Sequence, residues 1–357
     1  MTPPPAAHAL ADTVASIAPP DADVERATLA AMDMKVKPRG SLGRLEALAA
    51  RIAAIRGTAT PGRLHPAVVV CAGDHGVARE GVSAYPQEVT RQMLATYAGG
   101  GAAVCVLARE AGADLVVVDC GVAEPIDDPR VLRRRQGPGT ASIADGPAMT
   151  RAQAEAALEA GIGLVDELHA GGAGLVALGE MGIGNTTSAS ALCAALLPAD
   201  PAEVCGPGTG LDGAGVTRKV AVVRRALEAN RPDPADPLGV LAALGGFEIA
   251  TLAGVVLGAA ARRMPVLLDG AITTAAALVA VRIAPAAHGA LLAAHLSPEP
   301  AHRRALAALG LAPIVDLGMR LGEGSGAALA LPVVGASLAV LADMATFADA
   351  GVSDSGA

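Results

Sequence analysis

The stretch Gly174–Ser188, GLVALGEMGIGNTTS, changes structural period within a few residues. Gly174–Glu180 is a short, almost continuous apolar run, the pattern of a strand buried on both faces. A glycine-rich turn follows, and a helical pattern then runs from Thr186 to Leu197. Small residues in such a turn let backbone N–H groups approach an anion, and the helix N-terminus adds partial positive charge. The spacing is neither GxGxxG nor GxxxxGK[ST], so neither a dinucleotide fingerprint nor a P-loop is present. From the pattern alone the turn is either a phosphate cradle or a tight turn capped by Thr186 or Thr187.

Similar runs recur on both sides of it. Ala67–Asp74, Asp114–Val122, Pro265–Gly270, Gly289–His295 and Ala312–Gly318 are short, apolar and closed by Gly or a polar residue. Helical patterns separate them at Thr150–His169, Val216–Ala229, Phe247–Arg263, Ala271–Ile283 and Pro298–Leu309. This alternation predicts an α/β protein with right-handed crossovers and a Rossmann-like, doubly wound, mainly parallel sheet of about six strands. Ligands of such sheets sit beyond the C-terminal strand ends. The first 60 residues are helical instead, over Asp21–Met34 and Leu42–Ile55, and the last 30 are helical and apolar. Residues 1–60 and 329–357 are therefore expected to form a small helical domain beside a large domain of residues 61–328.

Composition narrows the class. The chain has 357 residues, a net charge of −8, 52% hydrophobic residues, 43 glycines, and four aromatics: Tyr85, Tyr97, Phe247 and Phe347. So apolar a chain is not disordered, and without a basic footprint or stacking rings it is not a nucleic-acid binder. Cys71, Cys105, Cys120, Cys193 and Cys205 show no CxxC spacing, and they read as reduced thiols of a cytoplasmic protein. Mean hydropathy is +0.46. The uncharged stretch Gly324–Ala342 approaches membrane-spanning length, but it contains Pro332 and Gly335 and lacks basic flanks and an aromatic belt. It is expected to be a buried helix, so no membrane span is expected. MTPPPAAHALADTVASIAPP at the start has neither the basic region nor the apolar core of a secretory signal.

Three further segments carry chemistry. Gly206–Lys219, GPGTGLDGAGVTRK, is too rich in glycine for an element interior. Only three of the 27 basic residues are lysines, so Lys219 stands out as a compact point charge; its bland alternative is a surface lysine. In Asp316–Gly326, DLGMRLGEGSG, Arg320 can clamp a carboxylate and Glu323 can act as a general base with a raised pKa. The alternative is a solvated loop with an ion pair. Ala72–Met93 contains Asp74 and His75, but no further His lies at ligand spacing and there is no GxSxG elbow. No metal is expected there, and His75 reads as structural.

Taken together, these segments resemble the nicotinate-nucleotide–dimethylbenzimidazole phosphoribosyltransferases of cobalamin assembly. The matching stretches are KPRGSLGRLE (37–46), AGDHGVAREGVSAYPQEVT (72–90), GEMGIGNTT (179–187), GPGTGLD (206–212), LGGFEIATLAG (244–254), LLDGAITTAAAL (267–278) and DLGMRLGEGSGAALA (316–330), in family order. The spacer Pro125–Pro138 is assigned nothing. The resemblance implies a cytoplasmic homodimer that needs no cofactor and takes nicotinate mononucleotide and 5,6-dimethylbenzimidazole as substrates. It implies Glu323 as the base and Glu180 as a second carboxylate at the reacting centre. It places phosphate and ribose at Gly182, Ile183, Gly184, Asn185, Thr186, Gly208, Lys219 and Asp269, and the nicotinate carboxylate at Arg320. The benzimidazole would meet Ser83, Tyr85, Gln87, Met181 and Leu321, with Tyr85 the only nearby aromatic. Two rivals remain: a non-catalytic α-ribazole or benzimidazole carrier on the same fold, and a nicotinamide-dependent dehydrogenase. The second lacks the glycine fingerprint.

Overall fold

Among the residues described, 10–353 of the computed structural model, six strands run in one direction. They are β1 (Pro66–Gly73), β2 (Asp114–Gly121), β3 (Val131–Arg133), β4 (Leu175–Met181), β5 (Val266–Leu268) and β6 (Leu291–Ala293). Residues 1–9, which begin both the stretch read as no secretory signal and the N-terminal helical segment, lie outside the described residues. So do residues 354–357 of the C-terminal segment. Strand order is β3-β2-β1-β4-β5-β6, and every neighbouring pair is parallel. Winding reverses between β1 and β4, which opens a crevice at their C-terminal ends. The glycine turn of Gly182–Gly184 lies directly after β4, at that reversal.

Two strand assignments change. Ala312–Gly318 forms no regular strand; it lies beside the β6 end through a parallel bridge between Val315 and His295 and through the Ile314 and Val315 amides, which donate to the Ala293 and Ala294 carbonyls. The sixth strand is instead β3, inside the charged spacer Pro125–Pro138. An edge strand needs pairing on one side only, so β3 forms without the long apolar run of a central strand.

Side chains alternate across the sheet, and this period of two creates two cores. Ala67, Val69 and Cys71 of β1 join Val176 and Leu178 of β4 in one core, beneath the helices Arg151–Ala170 and Phe247–Ala261. Val68, Val70 and Ala72 join Leu175 and Ala177 in the other. That second core also holds Ile52 of helix Arg44–Arg56 and Ala327, Leu331, Val334, Leu338 and Leu341 of helix Ser325–Asp343. Helix Ser325–Asp343 is long and apolar enough, at a mean hydropathy of 1.9, to cross a membrane, but its apolar stripe is packed against the sheet. Segments from both ends of the chain meet here: Lys35 pairs with Thr346, and its ammonium donates to the Met344 carbonyl at 2.7 Å. Residue 329 falls inside the Ser325–Asp343 helix.

Helix starts follow local chemistry. Thr150 accepts the Gln153 amide, and the Gln153 side chain returns to the Thr150 amide, a complete capping box. Asp212 accepts the Gly215 amide, so helix Gly213–Asn230 begins three residues earlier than its apolar pattern, within the glycine-rich stretch. Helix Arg151–Ala170 crosses helix Phe247–Ala261 at a contact that only glycine permits. A Cβ at Gly254 would lie 2.0 Å from the Leu158 carbonyl oxygen. Gly254→Ala is therefore expected to destabilise the fold by about 1–3 kcal/mol through overpacking. Thermal unfolding followed by circular dichroism checks this, and an unchanged midpoint would mean that the crossing can spread without cost.

Candidate active site

The site is organised by a backbone crossing. The loop before helix Ser325–Asp343 lies flat on β4, where a Cβ at Gly179 would sit 2.3 Å from the Glu323 carbonyl oxygen. Glu323 itself has φ +65°, a left-handed conformation that few non-glycine residues adopt. The crossing puts the Glu323 amide 3.4 Å from Glu180 Oε1, at the end of β4. Two glutamates distant in sequence thus meet at the β1–β4 crevice, the backbone amide of one against the carboxylate of the other, and both line the same cavity.

A cavity of about 680 Å³ opens over that point. Its wall includes Glu180, Met181, Gly182, Ile183, Asn185, Thr186, Gly208, Tyr85, Arg320, Leu321 and Glu323. Five expected site residues are not on it. Gly184 turns away, its α-carbon facing His75 and Ala78. Ser83 Oγ accepts the Tyr85 amide at 3.2 Å. Gln87 stands just before helix Glu88–Ala98 with no capping hydrogen bond from its side chain, and the cavity face of that helix carries Val89 and Met93, one turn apart. Lys219 stands behind the wall, its ammonium 3.0 Å from Thr186 Oγ1 and 3.1 Å from the Gly206 carbonyl. Asp269 is buried behind the Glu323 loop, accepting the Ala327 amide at 2.9 Å and the Gly324 amide at 3.3 Å. The turn is also less open than expected. The Ile183 amide donates to Thr90 Oγ1 and the Asn185 amide to the Gly182 carbonyl, so neither is free for an anion.

Burial governs the charges. It pushes Glu180 up to about 8, against the amide donated by Asn185 and with repulsion from Asp269 and Glu248. Burial also raises Glu323, while the Tyr97 hydroxyl and the Val104 amide, in the first turn of helix Ala103–Glu110, draw it down. The two carboxyls thus sit in different surroundings, which suits different protonation states. Lys219 is lowered by burial and supported by Glu299. His75 is pulled down by burial, but Glu248, 2.6 Å away, leaves its pKa raised.

Comparisons with known proteins bear on this arrangement. Residues 17–352 match the family DBI_PRT, described as phosphoribosyltransferase. The chain is 51% identical to the nicotinate-nucleotide–dimethylbenzimidazole phosphoribosyltransferase of Roseiflexus sp. (strain RS-1), covering 96% of this chain and 98% of that one. It is 54% identical to the protein of that name from Azotobacter vinelandii (strain DJ), over 90% and 92% of the two chains. The chain belongs to the DBI_PRT phosphoribosyltransferase family. A crystal structure of the like-named enzyme from Thermus thermophilus superposes on it with a TM-score of 0.88 at 47% identity, covering 94% of this chain and 99% of that one.

Several residues of this phosphoribosyltransferase escaped the sequence reading. Tyr97, buried and facing Glu323, is a second aromatic beside Tyr85. His295, Ser297 and Glu299 line the cavity, and Glu299 Oε1 accepts the Gly208 amide at 2.9 Å. Their segment, HLSPEP, leaves a strand that the sequence did reveal, so the rule that ligands gather at strand ends was the available signal. His75 serves the fold as expected: it joins Ser188 Oγ at 3.0 Å and Glu248 within the crevice floor.

The raised Glu180 has a consequence for stability. Its folded pKa of about 8 exceeds its ordinary value of 4.5, so the unfolded chain loses this proton first as pH rises. Stability falls across pH 4.5–8 on its account. Glu180→Gln removes that loss. The variant's melting temperature should rise relative to the unsubstituted chain between pH 5 and 8, and the gap should close near pH 4.5. A pH-independent difference would show that Glu180 is not held protonated.

Proposed function

We propose that this chain transfers the 5-phosphoribosyl group of nicotinate mononucleotide to 5,6-dimethylbenzimidazole with inversion at the anomeric carbon, giving α-ribazole 5′-phosphate and nicotinate for the lower ligand of cobalamin. The observation that carries this is the junction of Glu323 and Glu180 at the β1–β4 crevice, under a cavity of about 680 Å³. The names of the relatives specify the same donor and acceptor classes.

Each part of the reaction has a partner in the site. One ring nitrogen of the benzimidazole attacks the anomeric carbon from the face opposite the pyridinium. The bond to the pyridinium nitrogen breaks, and its electron pair stays on that nitrogen, which becomes a neutral pyridine nitrogen as nicotinate departs with its carboxylate, so no general acid is needed. The second ring nitrogen of the acceptor gives its proton to Glu323. Positioning and one base therefore supply most of the rate. The phosphate lies by the start of helix Asn185–Leu196, near Thr186 and the Gly208 loop, with Lys219 adding charge from behind. Arg320, at the cavity rim, faces the nicotinate carboxylate. The acceptor lies against Met181, Leu321 and Tyr85, with Val89 and Met93 completing an aliphatic wall.

The same proposal takes the enzyme as a cytoplasmic homodimer. Leu321 and Tyr85 on the cavity wall, and Leu317 four residues before Leu321, are each more than half exposed, which supports a cover from a second copy. The packing of helix Arg44–Arg56 on Ser325–Asp343 supports grouping 1–60 with 329–357 as a small helical unit beside residues 61–328.

Nicotinate release from nicotinate mononucleotide and the base, with product mass and anomeric configuration determined, tests the reaction. Glu323→Gln is expected to lower kcat by about 10²–10⁴; turnover within a few-fold of the unsubstituted enzyme would remove Glu323 as the base. Lys219→Ala is expected to weaken mononucleotide binding in calorimetry while leaving base binding intact. Equal affinity would end the phosphate assignment.

A further inference from the structure

We propose that Asp269 is the positioning residue of Glu323: it caps helix Ser325–Asp343 from a different strand and makes no contact with substrate. This rests on Glu323 being the base.

Most helices here that open on a polar cap supply it themselves. Thr150, Asp212 and Asp236 each accept an amide from the first turn of the helix they open. Helix Ser325–Asp343 has Gly324 at that position and no side-chain cap of its own. The reason is steric: a Cβ at Gly324 would lie 2.9 Å from the α-carbon of Gly179. The crossing that brings Glu323 to Glu180 therefore forbids a local cap. Asp269, at the end of β5, fills the need. Its two oxygens take the amides of Gly324 and Ala327, the cap and third positions, which are the pair a capping box satisfies.

Asp269 is itself held. It is 1% exposed. His295 stands on its other side, with Nε2 3.5 Å from Asp269 Oδ1. The same imidazole fills the space beside Gly326, where a Cβ would meet His295 Cδ2. The carboxylate is thus wedged between the β6 end and the helix start, and it fixes the residue immediately after Glu323. Gly270 and Ala271 reach the cavity wall, but Asp269 does not. A ribose contact would require the carboxylate to leave two amides.

A cap that served stability alone would leave turnover intact when removed. A positioning cap would lower kcat, because a misplacement of about 1 Å can cost about 100-fold. The experiment compares Asp269→Ala and Asp269→Asn, each alone and in the Glu323→Gln background, by nicotinate release under saturation. Asp269→Ala is expected to lower kcat about 100-fold, with KM for both substrates nearly unchanged. Asp269→Asn keeps the shape and one accepting oxygen, and it is expected to lose less; it carries the test if the alanine variant does not fold. Neither substitution should lower the residual rate of Glu323→Gln further, since the group being positioned is already gone. A raised KM for the mononucleotide with kcat unchanged would identify a ribose contact and overturn the proposal. So would a loss of the same factor in the Glu323→Gln background. If the unsubstituted enzyme releases no nicotinate, the function assignment fails and this proposal fails with it.

Discussion

The loop Gly322–Gly324 lies against Gly179 of β4 with no room for a side chain between the backbones, and the site depends on that approach. Without the contact the C-terminal helix could still cover the sheet, because its apolar stripe is long. Glu323, however, would sit away from Glu180, and the crevice at the winding reversal would hold one carboxylate. The left-handed conformation of Glu323 is the local cost of the contact. The Glu323 amide donates to Glu180 and the Gly324 amide donates to Asp269, and these bonds keep it in place.

Charge in the cavity is balanced by protonation and backbone amides more than by ion pairs. Glu180 is pushed up to about 8 and Asp269 to about 7 by burial. Glu299 is raised as well, with Lys219 and the Gly208 amide pulling against burial. Lys219 and Arg320 bring positive charge near the cavity, one from behind its wall and one at its rim. A carboxyl that stays protonated near neutrality adds no repulsion against an anionic substrate, and this lets an acidic protein accept one.

Much of this was legible in the sequence. The central strands β1, β2 and β4 announced themselves as apolar runs because both of their faces are buried. The edge strand β3 did not, since it is short and its neighbours in sequence are charged. Glu323 and Glu180 were visible because they sit in glycine-rich segments that belong to recognisable motifs. Tyr97 was invisible because its helix is amphipathic in an ordinary way, and only the tertiary packing turns that ring toward Glu323. Ser83 and Gln87 lie in a strong motif but off the cavity wall, because Ser83 closes a turn with the Tyr85 amide and Gln87 stands at the start of helix Glu88–Ala98. Asp269 was legible as a site residue, but sequence order does not reveal that the amides it accepts lie at the start of helix Ser325–Asp343.

The position of Glu323 along the chain also sets an order of assembly. All six described strands precede it, and the helix that secures it follows it. A growing chain therefore contains all six strand segments and most of the cavity-lining residues before it contains the glutamate proposed as the base. A chain that ended before Glu323 would lack both the proposed base and helix Ser325–Asp343, which covers one face of the sheet, so the group and the scaffold that holds it arrive together.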